Sequence, residues 1–235
     1  MNIIVRAWRQ WKFGHKFRKL GKDCLFTGQV MEIHGHVEAG DHCRFRNNVI
    51  LRTKGEGRII FGDYSGCSFN CIIEATKMVK IGRFTGIAEN TVIRDTNHLV
   101  IGTDVHWRLT PHIAEPIIIG ESVLIMSGCY IAPGVTIGDG AVVGQGSVVT
   151  KDIGPYEVWH GNPARKIAHR TQGVPESMRQ RYVNLLQQYG LKESRYGYAD
   201  DEVREAAASG RNRAAEERDQ ITRSGLSSSE PGNDP

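Results

Sequence analysis

An aliphatic residue recurs at every sixth position through one long stretch of the chain. The series is Ile119, Ile125, Ile131, Ile137, Val143 and Val149. Glycines accompany it at fixed offsets, either directly after the aliphatic residue or three positions beyond it. Neither the period of an amphipathic helix nor simple strand alternation produces this spacing. The pattern predicts a parallel β-helix, in which one aliphatic side chain per hexad points inward and three hexads close a triangular coil.

The earlier part of the chain carries the same repeat less regularly. One phase is shared by Leu25, Met31, Val37, Cys43, Val49, Phe61, Cys67, Ile73 and Val79. After a shift of two residues it continues through Ile81, Ile87 and Ile93, and residues 95–116 then break the pattern. We therefore predict an all-β domain over residues 25–154 with roughly six coils and an inserted loop at 95–116. Long loops inside compact domains are usually functional.

The segments outside the repeat predict three further regions. Residues 1–24 form a basic amphipathic helix, in which tryptophans and phenylalanines alternate with lysines and arginines over 2–20. Such a helix either caps the open end of the coil or lies on an anionic membrane surface, and both roles remain open. Residues 155–170 extend the solenoid. Residues 171–235 form a tail with weak helices near 175–190 and 199–224 and a disordered end.

Composition narrows the setting of the protein. The chain has 235 residues, 40% of them hydrophobic, and a net charge of +4, which does not by itself indicate nucleic-acid binding. Its five cysteines include no C-x-x-C pair, so we predict reduced thiols, no zinc site and a cytoplasmic protein. No apolar run approaches the roughly 20 residues of a membrane span.

The chain contains two further motifs, DTNH at 95–98 and PGVTIGDGAVVGQGSVVTKD at 133–152, the latter followed by GNPAR at 161–165. They resemble motifs of the left-handed β-helix hexapeptide-repeat acyltransferases, especially the sugar and antibiotic O-acetyltransferases. The resemblance covers about residues 25–170. It implies a left-handed coil, a homotrimer with parallel axes, active sites between subunits and acetyl-CoA as the acyl donor. No nucleic-acid partner and no metal are expected.

The resemblance assigns the acceptor side of the site to the inserted loop. His98 is the expected general base, because an imidazole titrates near working pH. Asp95 is expected to fix the tautomer of that imidazole, and Asn97 to hold either the acceptor or the histidine. The expected acceptor contacts are Trp107, Arg108 and Tyr130.

The resemblance assigns the donor side to the last coils. Ser127 and Gly128 are expected beside the thioester, where a backbone N–H stabilises the negative oxygen of the intermediate. Coenzyme A phosphates require cations. The expected cofactor-binding residues are Ser127, Gly128, Gln145, Gly146, Thr150, Lys151, Arg165 and Lys166. Gln145 is larger than the small residue that the family often carries there, so it is expected to narrow or redirect the groove.

Three functions are therefore compared. The favoured one is an acetyl-CoA-dependent O-acetyltransferase acting on a sugar or a cell-surface polysaccharide intermediate, cytoplasmic or peripheral at the inner face of the membrane. The alternatives are a zinc enzyme resembling the γ-class carbonic anhydrases and a non-catalytic scaffold. The identity of the acceptor, the choice between O- and N-acylation, the acyl chain length and the role of the tail stay open.

Overall fold

The computed structural model describes residues 3–28, 31–100, 102, 105–170 and 213–223. The described residues up to Ala168, together with 213–223, belong to one compact unit. Of the second unit, residues 169–211, only His169 and Arg170 are described. The helix predicted near 175–190 and the disordered end predicted after 224 lie outside the described residues.

Three sheets form the walls of a solenoid. Sheet A contains β1 (Lys19–Leu20), β4 (His36–Ala39), β7 (Arg58–Phe61), β10 (Met78–Ile81), β15 (Ile117–Ile119) and β18 (Thr136–Ile137). Sheet B contains β2 (Leu25–Phe26), β5 (Arg44–Phe45), β8 (Gly66–Cys67), β11 (Gly86–Ile87), β16 (Leu124–Ile125), β19 (Val142–Val143), β21 (Glu157–Gly161) and β22 (Ala164–His169). Sheet C contains β3 (Met31–His34), β6 (Val49–Thr53), β9 (Ile72–Ala75), β12 (Val92–Arg94), β17 (Tyr130–Ile131) and β20 (Val148–Val149).

The strands of successive coils pair in parallel, so the chain visits sheets A, B and C in turn. The solenoid has about seven turns, one more than predicted. This is the architecture predicted for a left-handed parallel β-helix. The hexad phase predicted from Ile119 to Val149 is confirmed, because each of its members is at most 1% exposed.

The phase predicted for the first coils is wrong by one or two residues. The core column of sheet B contains Phe26 rather than Leu25, and Phe45 rather than Cys43. Cys43 is buried at the preceding corner, where its thiol donates to the Gly62 carbonyl at 3.2 Å. Each hexad buries two side chains two positions apart, so spacing alone does not show which of them belongs to the column.

The irregular spacing is concentrated at the corner between sheets C and A. The step from Leu51 to Phe61 is ten residues and that from Ile93 to Ile119 is 26, where a regular step is six. The corner can take extra residues because they project outward without disturbing the stacked strands. The insertion at 95–116 is thus the longest of several insertions at one edge of the solenoid.

Helix α1 (Ile3–Gly14) covers the first coil. Its Phe13 ring lies 5.7 Å from that of Phe26, and Phe17, just after the helix, lies 5.4 Å from Phe45. Both side chains are buried, so the predicted capping role is confirmed. The helix is shorter than predicted, since it ends at Gly14 and the chain then enters β1.

Helix α2 (Arg213–Arg223) packs against β15 and β18 of sheet A. Ile221 joins Met78 and Ile118 in a small apolar cluster, and Lys80 and Arg218 form ion pairs between helix and solenoid, with Glu217 and Asp152 respectively. This part of the tail, predicted as a weak helix near 199–224, is helical over Arg213–Arg223 and contacts the solenoid.

All five cysteines are free and buried, in agreement with the predicted reduced thiols. None of the helices described is long and apolar enough to cross a membrane.

Candidate active site

The insertion at 95–116 contains an antiparallel hairpin rather than an irregular loop. Strands β13 (Thr96–His98) and β14 (His112–Ala114) pair so that His98 lies opposite His112. A short 3-10 helix, Trp107–Leu109, lies between them. The pairing brings together residues that are 14 positions apart in the sequence.

Asp95 anchors the base of this hairpin. Its carboxylate is fully buried and accepts hydrogen bonds from the backbone N–H groups of Thr76, Lys77 and Met78, at 2.7 to 3.0 Å. The Thr96 hydroxyl also donates to it, at 2.7 Å. Burial raises the pKa of Asp95 above its ordinary value, although these hydrogen bonds act in the opposite direction.

Asp95 therefore does not orient His98 as predicted. No hydrogen bond joins its carboxylate to that imidazole in the described part of the chain, and both of its oxygens face the corner at 76–78. Asp95 instead fixes the point at which the hairpin leaves the solenoid.

The exposed His98 imidazole lies in a cluster of rings. Its centroid is 4.0 Å from that of His112 and 5.4 Å from that of Trp107, which meets it edge to face. His106 stacks on Trp107 at 6.0 Å, and the Arg108 guanidinium lies 5.2 Å from the Trp107 ring centre. Three predicted site residues thus occupy one surface, and His112 joins them.

His112 is the site residue that sequence analysis missed. Partial desolvation, followed by the positive charges of His98 and Lys54, lowers the pKa of His112. The imidazole facing His98 therefore favours its neutral form. His112 is brought opposite His98 by the strand pairing of the hairpin, and the hexad pattern carries no information about that pairing.

The hairpin contacts the solenoid beyond its own base. The Tyr130 hydroxyl, on β17 of sheet C, donates to Oδ1 of Asn97 at 3.5 Å, near the limit for such a bond. Asn97 follows Thr96 and precedes His98 on β13. The contact places Tyr130 beside the hairpin, in agreement with its assignment to the acceptor side.

A second open surface lies at the corner between sheets B and C. Gly128 and Gly146 occupy this corner on adjacent coils with φ angles of 70° and 69°, a conformation that favours glycine. A Cβ at Gly146 would have no neighbour within 4 Å, and one at Gly128 would meet only the Gly146 backbone, at 3.9 Å. The corner therefore has room for a ligand to approach the main chain.

The peptide N–H groups of this corner differ from the prediction. The N–H of Gly128 donates to the Glu89 carbonyl at 2.9 Å, so it is not available to an oxyanion. The N–H of Gly146 donates to the Ser127 carbonyl at 2.8 Å. Neither the N–H of Ser127 nor that of Gln145, at the matching position of the next coil, has an acceptor among the described residues, so both remain for a ligand.

The predicted cations are of two kinds. Lys166 forms an ion pair with Glu157, with its Nζ 2.6 Å from Oε1. Burial opposes ionisation of Glu157, but hydrogen bonds from Lys166 and from the Trp159 indole hold the pKa of that carboxyl below its ordinary value. The positive charge of Lys166 is therefore partly balanced by the carboxylate of Glu157.

The other predicted donor residues are less constrained. Lys151 is exposed, and among the residues that the structure describes the Arg165 guanidinium bonds only to the adjacent Ala164 carbonyl, at 2.8 Å. Thr150 and Gln145 are also exposed. Gln145 lies on the solvent side of the corner next to Gly146, so it leaves the space beside that glycine open.

The hairpin and the glycine corner lie at opposite edges of sheet C. The hairpin leaves the chain after β12, at the edge where sheet C strands end, whereas Gly128 and Gly146 precede β17 and β20 at the edge where they begin. The hairpin and the glycine corner of one chain are thus separated by the width of this sheet, with Tyr130 on the sheet between them. Thr150 and Lys151 follow β20, at the edge where the hairpin leaves.

The three-histidine zinc site of the alternative function was also sought. Across the ranges that the structure describes, no group of three or more histidine, cysteine or acidic side chains is arranged to hold a metal ion. His98 and His112 form a pair, and His106 stacks on Trp107.

Comparison with known proteins agrees with this fold. Residues 116–151 match the family model of the bacterial transferase hexapeptide (six repeats). The resemblance to hexapeptide-repeat transferases is thereby confirmed for the last coils. A comparison with curated protein sequences gives no significant match.

Several solved acyltransferases share the architecture. AntD, an N-acyltransferase from Bacillus cereus in complex with dTDP and 3-hydroxybutyryl-CoA, is 20% identical over 77% of this chain and 96% of its own, with a TM-score of 0.61. Galactoside acetyltransferase in complex with coenzyme A is 27% identical over 73% of this chain and 74% of its own, with a TM-score of 0.50. A maltose O-acetyltransferase from Clostridium difficile 630 is 25% identical over 73% and 80%, with a TM-score of 0.47.

Proposed function

We propose that the protein is an acyl-CoA-dependent acyltransferase that acetylates a sugar hydroxyl, with His98 as general base. The observation that carries this proposal is the exposed His98 imidazole, held beside Trp107 and His112 on a hexapeptide-repeat solenoid. Galactoside acetyltransferase, with coenzyme A bound, has the same fold at 27% identity, which supports the choice of donor.

The proposed chemistry needs one proton acceptor. The His98 imidazole takes the proton of the acceptor hydroxyl while that oxygen bonds to the thioester carbonyl carbon. The carbon–sulfur bond then breaks, and the proton held by His98 passes to the departing thiolate.

The glycine corner supplies the donor side of this proposal. Its open backbone at Gly128 and Gly146 suits the narrow pantetheine arm. The N–H of Ser127 is placed to stabilise a negative oxygen, an effect typically worth about 3 kcal/mol for one good donor. Lys151 and Arg165, which have no carboxylate partner within the described residues, are proposed to bind the phosphates.

A trimer would complete the site. Because one chain keeps its hairpin and its glycine corner at opposite edges of sheet C, we propose that the hairpin of one copy meets the corner of the next. The exposed apolar side chains of the hairpin support this, since a neighbouring subunit would cover them. They are Val100, Val105, Trp107, Leu109 and Ile113. Light scattering on the purified protein would give three times the monomer mass of 26.2 kDa.

The proposed acceptor is a sugar, either free or on a cytoplasmic intermediate of surface-polysaccharide synthesis. The exposed Trp107 face is suited to stacking on a sugar ring. We propose a hydroxyl rather than an amine as the acceptor group, because attack by a hydroxyl depends more strongly on a general base.

Release of free thiol from acetyl-CoA in the presence of candidate sugars tests the proposal. His98→Ala should lower kcat by about 10²- to 10⁴-fold, the usual contribution of a general base. His34→Ala, an exposed histidine on the early strand β3, is the matched control and should leave turnover unchanged. Full turnover in His98→Ala would eliminate the assigned role, and absence of thiol release with every acceptor would contradict the function.

A further inference from the structure

Helix α1 presents two apolar faces, and within the described part of the chain one of them is buried and the other exposed. Phe13 points into the first coil and is buried. Ile4, Trp8 and Trp11 recur at the spacing of one helix face, on the side opposite Phe13. Ile4 and Trp11 are each 72% exposed, and Trp8 is 48% exposed. Capping the solenoid therefore accounts for Phe13 and Phe17 but not for the two tryptophans.

The charge of the protein is concentrated on the same segment. Residues 1–22 carry seven lysines and arginines and no acidic residue. The remaining 213 residues carry 23 lysines and arginines against 26 aspartates and glutamates, so they are slightly acidic. The whole positive balance of the chain thus comes from its first 22 residues.

Two of these basic groups have defined contacts, one of them with an exposed aromatic ring. The Lys12 ammonium lies 4.8 Å from the Trp8 ring centre and 5.2 Å from that of Phe13. Arg9 reaches the Thr27 carbonyl at 2.8 Å, which ties the helix to the first coil. The His15 imidazole donates through Nδ1 to the Trp11 carbonyl at 2.9 Å. The exposed face therefore carries two indole rings, with the Lys12 ammonium beside one of them.

This combination matches one kind of partner. Indole rings favour the boundary between lipid headgroups and acyl chains, while lysine and arginine interact with anionic headgroups. An acidic protein surface would satisfy the cations but would not require two projecting tryptophans. We propose that the Ile4–Trp8–Trp11 face of α1 docks the protein on an anionic lipid bilayer, with the helix lying in the plane of the interface.

The proposal is independent of the acyl-transfer chemistry and is tested with vesicles. The full-length protein is mixed with phosphatidylcholine vesicles, with or without one-third phosphatidylglycerol, and the bound fraction is measured by flotation. We expect binding to the anionic vesicles only, weakened by salt. The double variant Trp8→Ala/Trp11→Ala should bind roughly tenfold more weakly.

Two matched variants make the result specific. Phe69→Ala removes another exposed aromatic ring with a guanidinium beside it, that of Arg46 at 5.1 Å, and should bind like the wild type. Lys16→Glu/Lys19→Glu keeps the tryptophans, and should reduce both binding and its salt dependence. Turnover of a water-soluble acceptor should be unchanged in all three variants.

Three outcomes would overturn the proposal. The first is the absence of binding to anionic vesicles, and the second is equal binding to vesicles without phosphatidylglycerol. The third is an unchanged bound fraction in Trp8→Ala/Trp11→Ala combined with a smaller mass in solution, which would assign this face to a contact between copies of the chain.

Discussion

The imidazole rings of His98 and His112 lie with their centroids 4.0 Å apart, on paired positions of the hairpin. Two imidazolium cations at this distance repel each other, so the pair takes up its first proton more readily than its second. The geometry therefore links the protonation of the proposed base to that of its neighbour.

Replacing His98 should change the titration of His112. In His98→Gln the repulsion from His98 is absent, so the pKa of His112 should rise toward its ordinary value of 6.5, while desolvation and Lys54 continue to lower it. Titration of the imidazole C–H signals by NMR measures this directly. His34→Gln should leave the His112 titration unchanged, and an unshifted His112 signal in His98→Gln would contradict the contact.

Stability should respond to acid through His112. Because folding lowers its pKa, the unfolded chain binds this proton more readily, and the fold loses stability as the pH falls through about 6.5. Above that range the residue has no such effect. Urea unfolding of wild type and His112→Gln at pH 8 and pH 5.5 should show a smaller acid-induced loss in the variant, and equal losses would contradict this assignment.

Replacing Asp95 should lower the stability of the fold. In Asp95→Asn an amide replaces an oxygen that accepts from the corner at 76–78, so at least one buried N–H loses its partner, at a cost of about 1–3 kcal/mol. The free energy of unfolding should fall by that amount. Glu56→Gln, an exposed acid at an insertion of the same corner, is the control and should unfold like the wild type.

Replacing Gly146 should weaken the binding of the acyl donor. Ala at this position strains a positive φ by about 1 kcal/mol but meets no atom of the chain. If the donor lies against this backbone, Gly146→Ala should also raise KM for acetyl-CoA. Gly55→Ala is closely matched, because Gly55 has a φ of 52° and equally open surroundings at another corner. It should lose similar stability with no change in KM, and an equal KM in both variants would remove Gly146 from the site.

The three predicted cations should not contribute equally. Lys166 is paired with Glu157, whereas Lys151 and Arg165 have no carboxylate within the described ranges. Alanine at Lys151 or Arg165 should therefore raise KM for acetyl-CoA more than alanine at Lys166. The comparison is made at low salt, where these interactions are strongest. A larger effect at Lys166 would reverse the assignment.

The cap can be separated from the proposed lipid contact by stability alone. Phe13→Ala removes a buried ring and should cost about 3–5 kcal/mol of unfolding free energy. Trp11→Ala removes an exposed ring of the same helix and should cost little. Denaturant unfolding of both variants measures the difference. A similar loss in both would mean that Trp11 also holds the cap in place.

The regular coils could be predicted from the sequence because their repeat is local. From Ile119 to Val149 an isoleucine or valine occupies every sixth position with glycines at fixed offsets, so the inward position can be identified from the sequence. In the first coils Cys43 and Phe45 are both apolar and both buried, and the choice between them depends on strand pairing with Cys67. That pairing spans 22 residues, a separation that a six-residue pattern does not resolve.

The sequence predicted residues of the proposed acceptor side, but it did not predict how they are arranged. His98, Trp107 and Arg108 do cluster, yet His112 joins them only through the hairpin. Asp95 precedes His98 by three residues, which suggested a direct partner. Its actual partners lie 17 to 19 residues earlier, on the preceding coil, because a buried carboxylate satisfies unpaired backbone amides first.

The stacking of coils also sets a height. Neighbouring strands of a sheet lie about 4.8 Å apart, and the hairpin leaves after the fourth strand of sheet C counted from the α1 end, so it stands about 15 Å above the first coil. The number of coils thus sets the distance between the capped end and the two histidines. Adding or deleting one whole coil below the hairpin would move His98 by one strand spacing without altering its neighbours. The distance of His98 from the capped end could therefore change while the residues around it stay the same.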